Sequence, residues 1–120
     1  ADDQAMVVQI EHHGRRILLT SDAGFPTEKW LIANSRYLSS DVLVCGHHES
    51  DHSLLPEFIA KVAPRVIIAS RPRAAMPVAE FDHRKVRLLD QLECGAVEIT
   101  IQPDGTIRLQ PFLGDSFEIR

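Results

Sequence analysis

The chain is predicted to be a mixed α/β protein, a sheet with helices packed on it in the order ββαβαβαββ. Three observations predict this. Short runs rich in Val, Ile and Leu recur at residues 6–10, 16–20, 41–46, 65–70, 97–101 and 106–109. Segments with apolar residues at helical spacing alternate with the middle runs. Glycine and proline punctuate the joints. Strands alternating with helices imply a largely parallel central sheet with helices against it.

The elements follow in chain order. Residues 6–10 and 16–20 flank His12, His13 and Gly14, and Gly14 supplies the positive φ that a hairpin turn wants. Pro26 suits the first turn of a helix whose apolar face would carry Trp30, Leu31 and Ala33. Residues 41–46 are short and apolar enough for a fully buried strand. Ser53 is a candidate N-cap for a helix through Val62, with Leu54, Phe58, Ile59 and Val62 on one face. Residues 65–70 form another buried strand. Pro72 and Pro77 make residues 71–78 a loop, and a helix is expected over 79–93, with Gly95 just past its end. Residues 97–101 and 106–109 close a hairpin around Pro103-Asp104-Gly105. Residues 114–120 are expected to be a loosely fixed tail.

With 120 residues there is room for one domain and not two. The formal net charge of −4 argues against a dedicated nucleic-acid-binding module, which is usually basic. It does not exclude an enzyme that meets a phosphodiester through metal ions. Cys45 and Cys94, the two cysteines, sit in or beside apolar segments and read as free thiols. No apolar run approaches the roughly 20 residues that span a bilayer. The chain opens on Ala1 with a strand almost at once, and is read as a piece of a longer protein.

Folds of this kind place chemistry in loops at the carboxyl ends of parallel strands. Two such loops carry unusual residues. Asp22 follows the run Leu18-Leu19-Thr20-Ser21, where a carboxylate is fixed by the sheet yet open to solvent. It could bridge two divalent ions through its two oxygens; a plain loop aspartate is the simpler account. His47 and His48 follow Val42-Leu43-Val44-Cys45-Gly46, in a loop that continues Glu49-Ser50-Asp51-His52. Adjacent histidines point in different directions, so one of the pair is the candidate ligand. Imidazole suits Zn, Fe, Ni or Cu, and carboxylate also suits Mg or Mn. His52 and Glu49 are secondary candidates, against the alternative of a solvated polar loop. His12 and His13 read as surface turn residues, His83 as a helix-surface residue, and Arg71 and Arg73 as loop cations. One Asp and one His pair are too few donors for a catalytic di-metal centre.

Both loops resemble closing motifs of the metallo-β-lactamase superfamily, and more narrowly its branch in the DNA-internalisation competence protein ComEC. That branch reads Leu-Leu-Thr-Gly-Asp-Ala-Gly at the end of a strand, matched here by Leu18 to Gly24. It then reads Gly-His-His-Gly-Ser-x-x-Ser before a helix, matched by Gly46 to Ser53. Asp2-Asp3-Gln4-Ala5 and Gln102-Pro103-Asp104-Gly105-Thr106-Ile107 resemble the lead-in and the last hairpin. The resemblance implies that residues 1–120 are the C-terminal half of an αββα sandwich. It implies that Asp22 bridges two metals, that His47 or His48 ligates one, and that further ligands come from a His-x-His-x-Asp-His motif in an N-terminal half absent from this sequence. The implied cofactor is divalent, Zn or Mn, as one ion or two; this chain alone is expected to hold none. The implied partners are DNA and the rest of the parent chain, in a soluble domain of a bacterial inner-membrane protein taking part in DNA uptake. A sheet stripped of its other half is expected to bare one face and to self-associate.

Three positions depart from the pattern. Ser21 and Glu49 stand where the branch has glycine, and Ala75-Met76-Pro77 stands where it often has Gly-His-Pro. Glu49 and Met76 keep open a second reading: a catalytically degenerate module of the same fold with a docking or DNA-guiding role.

Overall fold

A computed structural model of the chain describes residues 6–21, 23–45, 55–69 and 86–120. The opening hairpin pairs β1 (Val8–His12) with β2 (Arg15–Leu19) antiparallel, His12 opposite Arg15. Its turn is therefore two residues, His13 and Gly14, with φ of 48° and 77°. Paired positive φ values give the turn whose twist matches the flanking strands. After α1 (Phe25–Asn34), β3 (Val42–Cys45), α2 (Pro56–Val62), β4 (Val66–Ala69) and β5 (Arg87–Asp90) complete a five-stranded sheet. Its order is β1-β2-β3-β4-β5, and the strands from β2 to β5 are parallel. The short helix α3 (Gln91–Cys94) then leads to a three-stranded antiparallel sheet of β6 (Val97–Ile101), β7 (Ile107–Pro111) and β8 (Phe117–Ile119).

Side chains alternate across the strands, so the five-stranded sheet builds two cores. On one face Leu18, Leu43, Cys45, Ile67 and Ala69 meet Leu31 of α1 and Phe58, Ile59 and Val62 of α2. On the other Ile17, Val42, Val66, Ile68 and Leu89 meet Ile107 and Leu109 of β7. Three layers result: helices, parallel sheet, antiparallel sheet. Burial of both faces explains why β3 and β4 read as continuous apolar runs.

The structure corrects four expectations. Residues 87–90, placed in a helix over 79–93, are a parallel edge strand, and the helical part of that stretch is the single turn Gln91–Cys94; residues 79–85 lie outside the described residues. Pairing with β4 puts Leu89 into the second core and leaves Leu88 packed against the first, an alternation that a leucine pair conceals. The supposed tail supplies β8, because Phe117 and Ile119 flank the second core while Glu118 faces outward. Trp30 and Ala33 are not core residues: α1 buries Glu28 and Leu31, and Trp30 is 61% exposed. The sheet face expected to be bare is covered over β3, β4 and β5 by the antiparallel sheet, whose Ile107 and Leu109 are fully buried. Each such side chain is worth roughly 1.5–3 kcal/mol relative to exposure.

Cys45 is buried and Cys94 half-buried, and neither is in a disulfide. Among the described residues no helix is long and apolar enough to cross a membrane.

Candidate functional site

Four parallel neighbours bring four carboxyl ends to one edge of the sheet. Leu19 pairs with Val44, Cys45 with Ala69, and Ala69 with Asp90. Just past β2, Thr20 is buried and donates both its backbone N–H (2.9 Å) and its hydroxyl (3.3 Å) to the carbonyl of Val44. The chain then turns sharply. Ala23 N–H donates to the carbonyl of Thr20 at 3.0 Å, and Ser21 sits at φ 53° with its hydroxyl donating to the Met6 carbonyl at 3.0 Å. Positive φ at a non-glycine residue is disfavoured by crowding at Cβ. A glycine at this position would escape that crowding. Gly24 caps α1, with its carbonyl accepting from Glu28 N–H at 3.1 Å.

Glu28 was not singled out from sequence. Its side chain is 1% exposed, and Oε1 accepts the backbone N–H of Leu55 at 2.8 Å. Leu55 is the N-cap residue of α2 and has no side-chain cap of its own. A helix start leaves backbone donors unsatisfied, and a carboxylate there also complements the helix dipole. Buried Cys45 ends β3 and Leu55 opens α2, so Glu28 of α1 holds the first described residue after the histidine-bearing stretch of sequence. The available signal was Glu28 lying three residues before Leu31, on the one buried stripe of α1.

Asp22, His47, His48, Glu49 and His52 themselves lie outside the described residues, as do Arg71, Arg73, Met76 and His83. The strands that lead to Asp22 and to the histidine pair are adjacent and parallel, as their topology required. Among the described residues no group of three or more His, Cys, Asp or Glu side chains could hold a metal ion. The His12 and His13 rings lie 3.8 Å apart between centroids, tilted by 47°, at the amino end of β2 and so on the opposite rim.

That opposite rim is organised by Asp41. Its Oδ2 accepts Arg16 N–H at 3.0 Å, and its Oδ1 accepts Arg65 Nη2 at 3.0 Å and lies 3.6 Å from Arg15 Nη1. Arg15 also donates to the Gly105 carbonyl at 2.7 Å, tying the β6–β7 turn to the first hairpin. These bonds lock the amino ends of the strands and point to no ligand.

Comparison of the chain with protein-family models, with curated proteins and with solved structures returns no match.

Proposed function

We propose that this chain is the C-terminal part of a metallo-β-lactamase-like domain of the ComEC kind, a metal-dependent phosphodiester hydrolase acting on DNA during uptake at a bacterial inner membrane. The observation that carries this reading is the junction at the carboxyl edge. The strands that end in the two resembled motifs are parallel neighbours joined by Thr20 to Val44, and Ser21 occupies a left-handed position where the motif uses glycine.

The donor set on this chain suits part of a di-metal centre. Asp22 would hold two ions and one of His47 and His48 would hold one, with the remaining ligands supplied by the parent's N-terminal half. When bound, such ions supply Lewis-acid stabilisation of the charge that develops on a phosphodiester. The chain's own contribution is positioning. The turn closed by Ala23 and Thr20 fixes the residues on either side of Asp22, and the Glu28 carboxylate holds Leu55, the first described residue after the histidine-bearing stretch.

The test uses the full natural chain with Mn(II) or Zn(II) and single-stranded DNA. Hydrolysis is expected, falling by about two orders of magnitude in Asp22→Ala while the circular dichroism spectrum is retained. Undiminished hydrolysis in Asp22→Ala refutes the assignment. DNA binding without hydrolysis in the wild type selects the second reading, a degenerate module that guides DNA, which Glu49 and Met76 favour.

A further inference from the structure

The outermost strand of the parallel sheet is unusually open. All five residues of β1 are exposed, with Val8 at 39% and Ile10 at 44%. Of the eight large apolar side chains left exposed among the described residues, five border this edge: Val8 and Ile10 on the face of the second core, Trp30 and Tyr37 across the helix face, and Met6 just before β1. Trp30 and Tyr37 line a groove of about 610 Å³ between α1 and β1, together with Val7 and Gln9. The antiparallel sheet that covers β3 to β5 leaves Val8 and Ile10 uncovered.

Among the described residues, β1 pairs with β2 alone and its outer side meets no other strand. In β2, Arg16 directs its N–H to Asp41 and its carbonyl to Asp41 N–H, and Thr20 N–H goes to Val44. Even-numbered residues of β2 therefore bond toward β3, and Arg15, Ile17 and Leu19 bond toward β1. Their partners His12, Ile10 and Val8 spend their backbone groups inside the hairpin. Val7, Gln9 and Glu11 turn theirs outward, a template for another strand.

We propose that β1 is a homodimer edge, pairing antiparallel with β1 of a second copy about a two-fold axis at Gln9. This register is self-complementary. It opposes Gln9 to Gln9 of the second copy and Val7 to Glu11, so all three outward residues pair and about six backbone hydrogen bonds form; centring on Val8 or Ile10 gives about four. Val8 falls opposite Ile10 in both halves, at the closer, non-hydrogen-bonded sites where apolar side chains pack best. Centring on Glu11 would oppose two carboxylates. The Gln9 register separates them by four residues, about 13 Å, beyond the Debye length of about 8 Å at physiological salt. Each Glu11 also keeps its own Arg16 at 3.1 Å. A strand edge alone falls short of the roughly 800 Å² per partner of a stable interface. The exposed Trp30 and Tyr37 beside the same edge supply further apolar area.

Sedimentation velocity of the 120-residue chain at about 100 μM is expected to show a dimer, and Ile10→Lys is expected to return it to monomer. The register is read by crosslinking. Opposed residues of a hydrogen-bonded pair lie about 5.5 Å apart at Cα, within disulfide reach. Under mild oxidation Gln9→Cys is expected to give a covalent dimer well above the wild-type background, and Glu11→Cys is not. A wild-type monomer at that concentration overturns the proposal. So does a dimer that survives Ile10→Lys, or equal crosslinking of Gln9→Cys and Glu11→Cys. If Ile10→Lys fails to fold, the two cysteine variants decide.

Discussion

Removing the carboxylate of Asp41 tests whether the amino ends of the parallel strands are held as the structure implies. Asp41 side-chain oxygens accept from Arg16 N–H and Arg65 Nη2, each at 3.0 Å, with Arg15 Nη1 at 3.6 Å. The Asp41 backbone also accepts Arg65 N–H at 2.8 Å and donates to Arg16 at 2.9 Å, and Asp41→Ala leaves these intact. What is lost is a hydrogen bond from a backbone amide to a charged acceptor, about 1.5–3 kcal/mol. The arginine pairs add little, because their side chains are 29% and 34% exposed and partly exposed pairs contribute about 0.2–1 kcal/mol. With two such pairs the sum is about 2–5 kcal/mol. For a domain of this size, at roughly 4 °C per kcal/mol, that lowers Tm by roughly 8–20 °C. Asp41→Asn keeps an acceptor for Arg16 N–H and gives up the charge, so about 1 kcal/mol is expected. Urea unfolding followed by circular dichroism measures both. High salt should narrow the gap between wild type and Asp41→Asn and leave the gap between Asn and Ala unchanged, since screening acts on the charge alone. An Asp41→Ala protein within about 0.5 kcal/mol of wild type, the scatter of ordinary surface substitutions, refutes the reasoning, as does equal destabilisation by Asn and Ala.

Glu28→Ala is expected to destabilise by about 2–3 kcal/mol, because Leu55 N–H loses its buried acceptor, and Glu28→Gln by about 1 kcal/mol, because the amide oxygen still accepts. Hydrogen exchange at the Leu55 amide checks this, accelerating strongly in Ala and weakly in Gln. Burial raises the Cys94 thiol above the usual cysteine value, and Asp90 and Glu93 add to the shift against an opposing backbone hydrogen bond. The folded state therefore holds this proton more firmly than the unfolded state. The stability so contributed is complete below the unfolded thiol pKa, about 8.5, and is lost as pH rises through the higher folded value. Denaturation from pH 7 to 10 should show that alkaline loss in the wild type and less of it in Cys94→Ala. Iodoacetamide at pH 8 should modify Cys94 more slowly than an unstructured thiol and leave the buried Cys45 untouched until unfolding.

Local signals made much of the architecture legible. His13-Gly14 and Pro103-Asp104-Gly105 are turns whose backbone demands are written in their residue types, and both lie where they were read. The uninterrupted apolar runs before Gly46 and Ser70 could satisfy themselves only as strands buried on both faces, and β3 and β4 are such strands. Phe58, Ile59 and Val62 share a helical stripe that packs on the sheet. β2 and β3 could be read as neighbouring parallel strands because strand–helix–strand order admits few arrangements. Other features were decided by partners far away in the chain. Leu88-Leu89 fits a helix and a strand equally well, and β4 alongside made it a strand. Glu28 belongs by type on a surface; the unsatisfied amide of Leu55, twenty-seven residues on, gave it a reason to be buried. The alternation of Phe117 and Ile119 is too short to announce a strand until Leu109 and Ile107 stand opposite. The cover on the second sheet face came from residues 97–119 folding back over it. Periodicity reports which residues must leave water, whereas the surface that receives them is set by chain segments brought together only on folding.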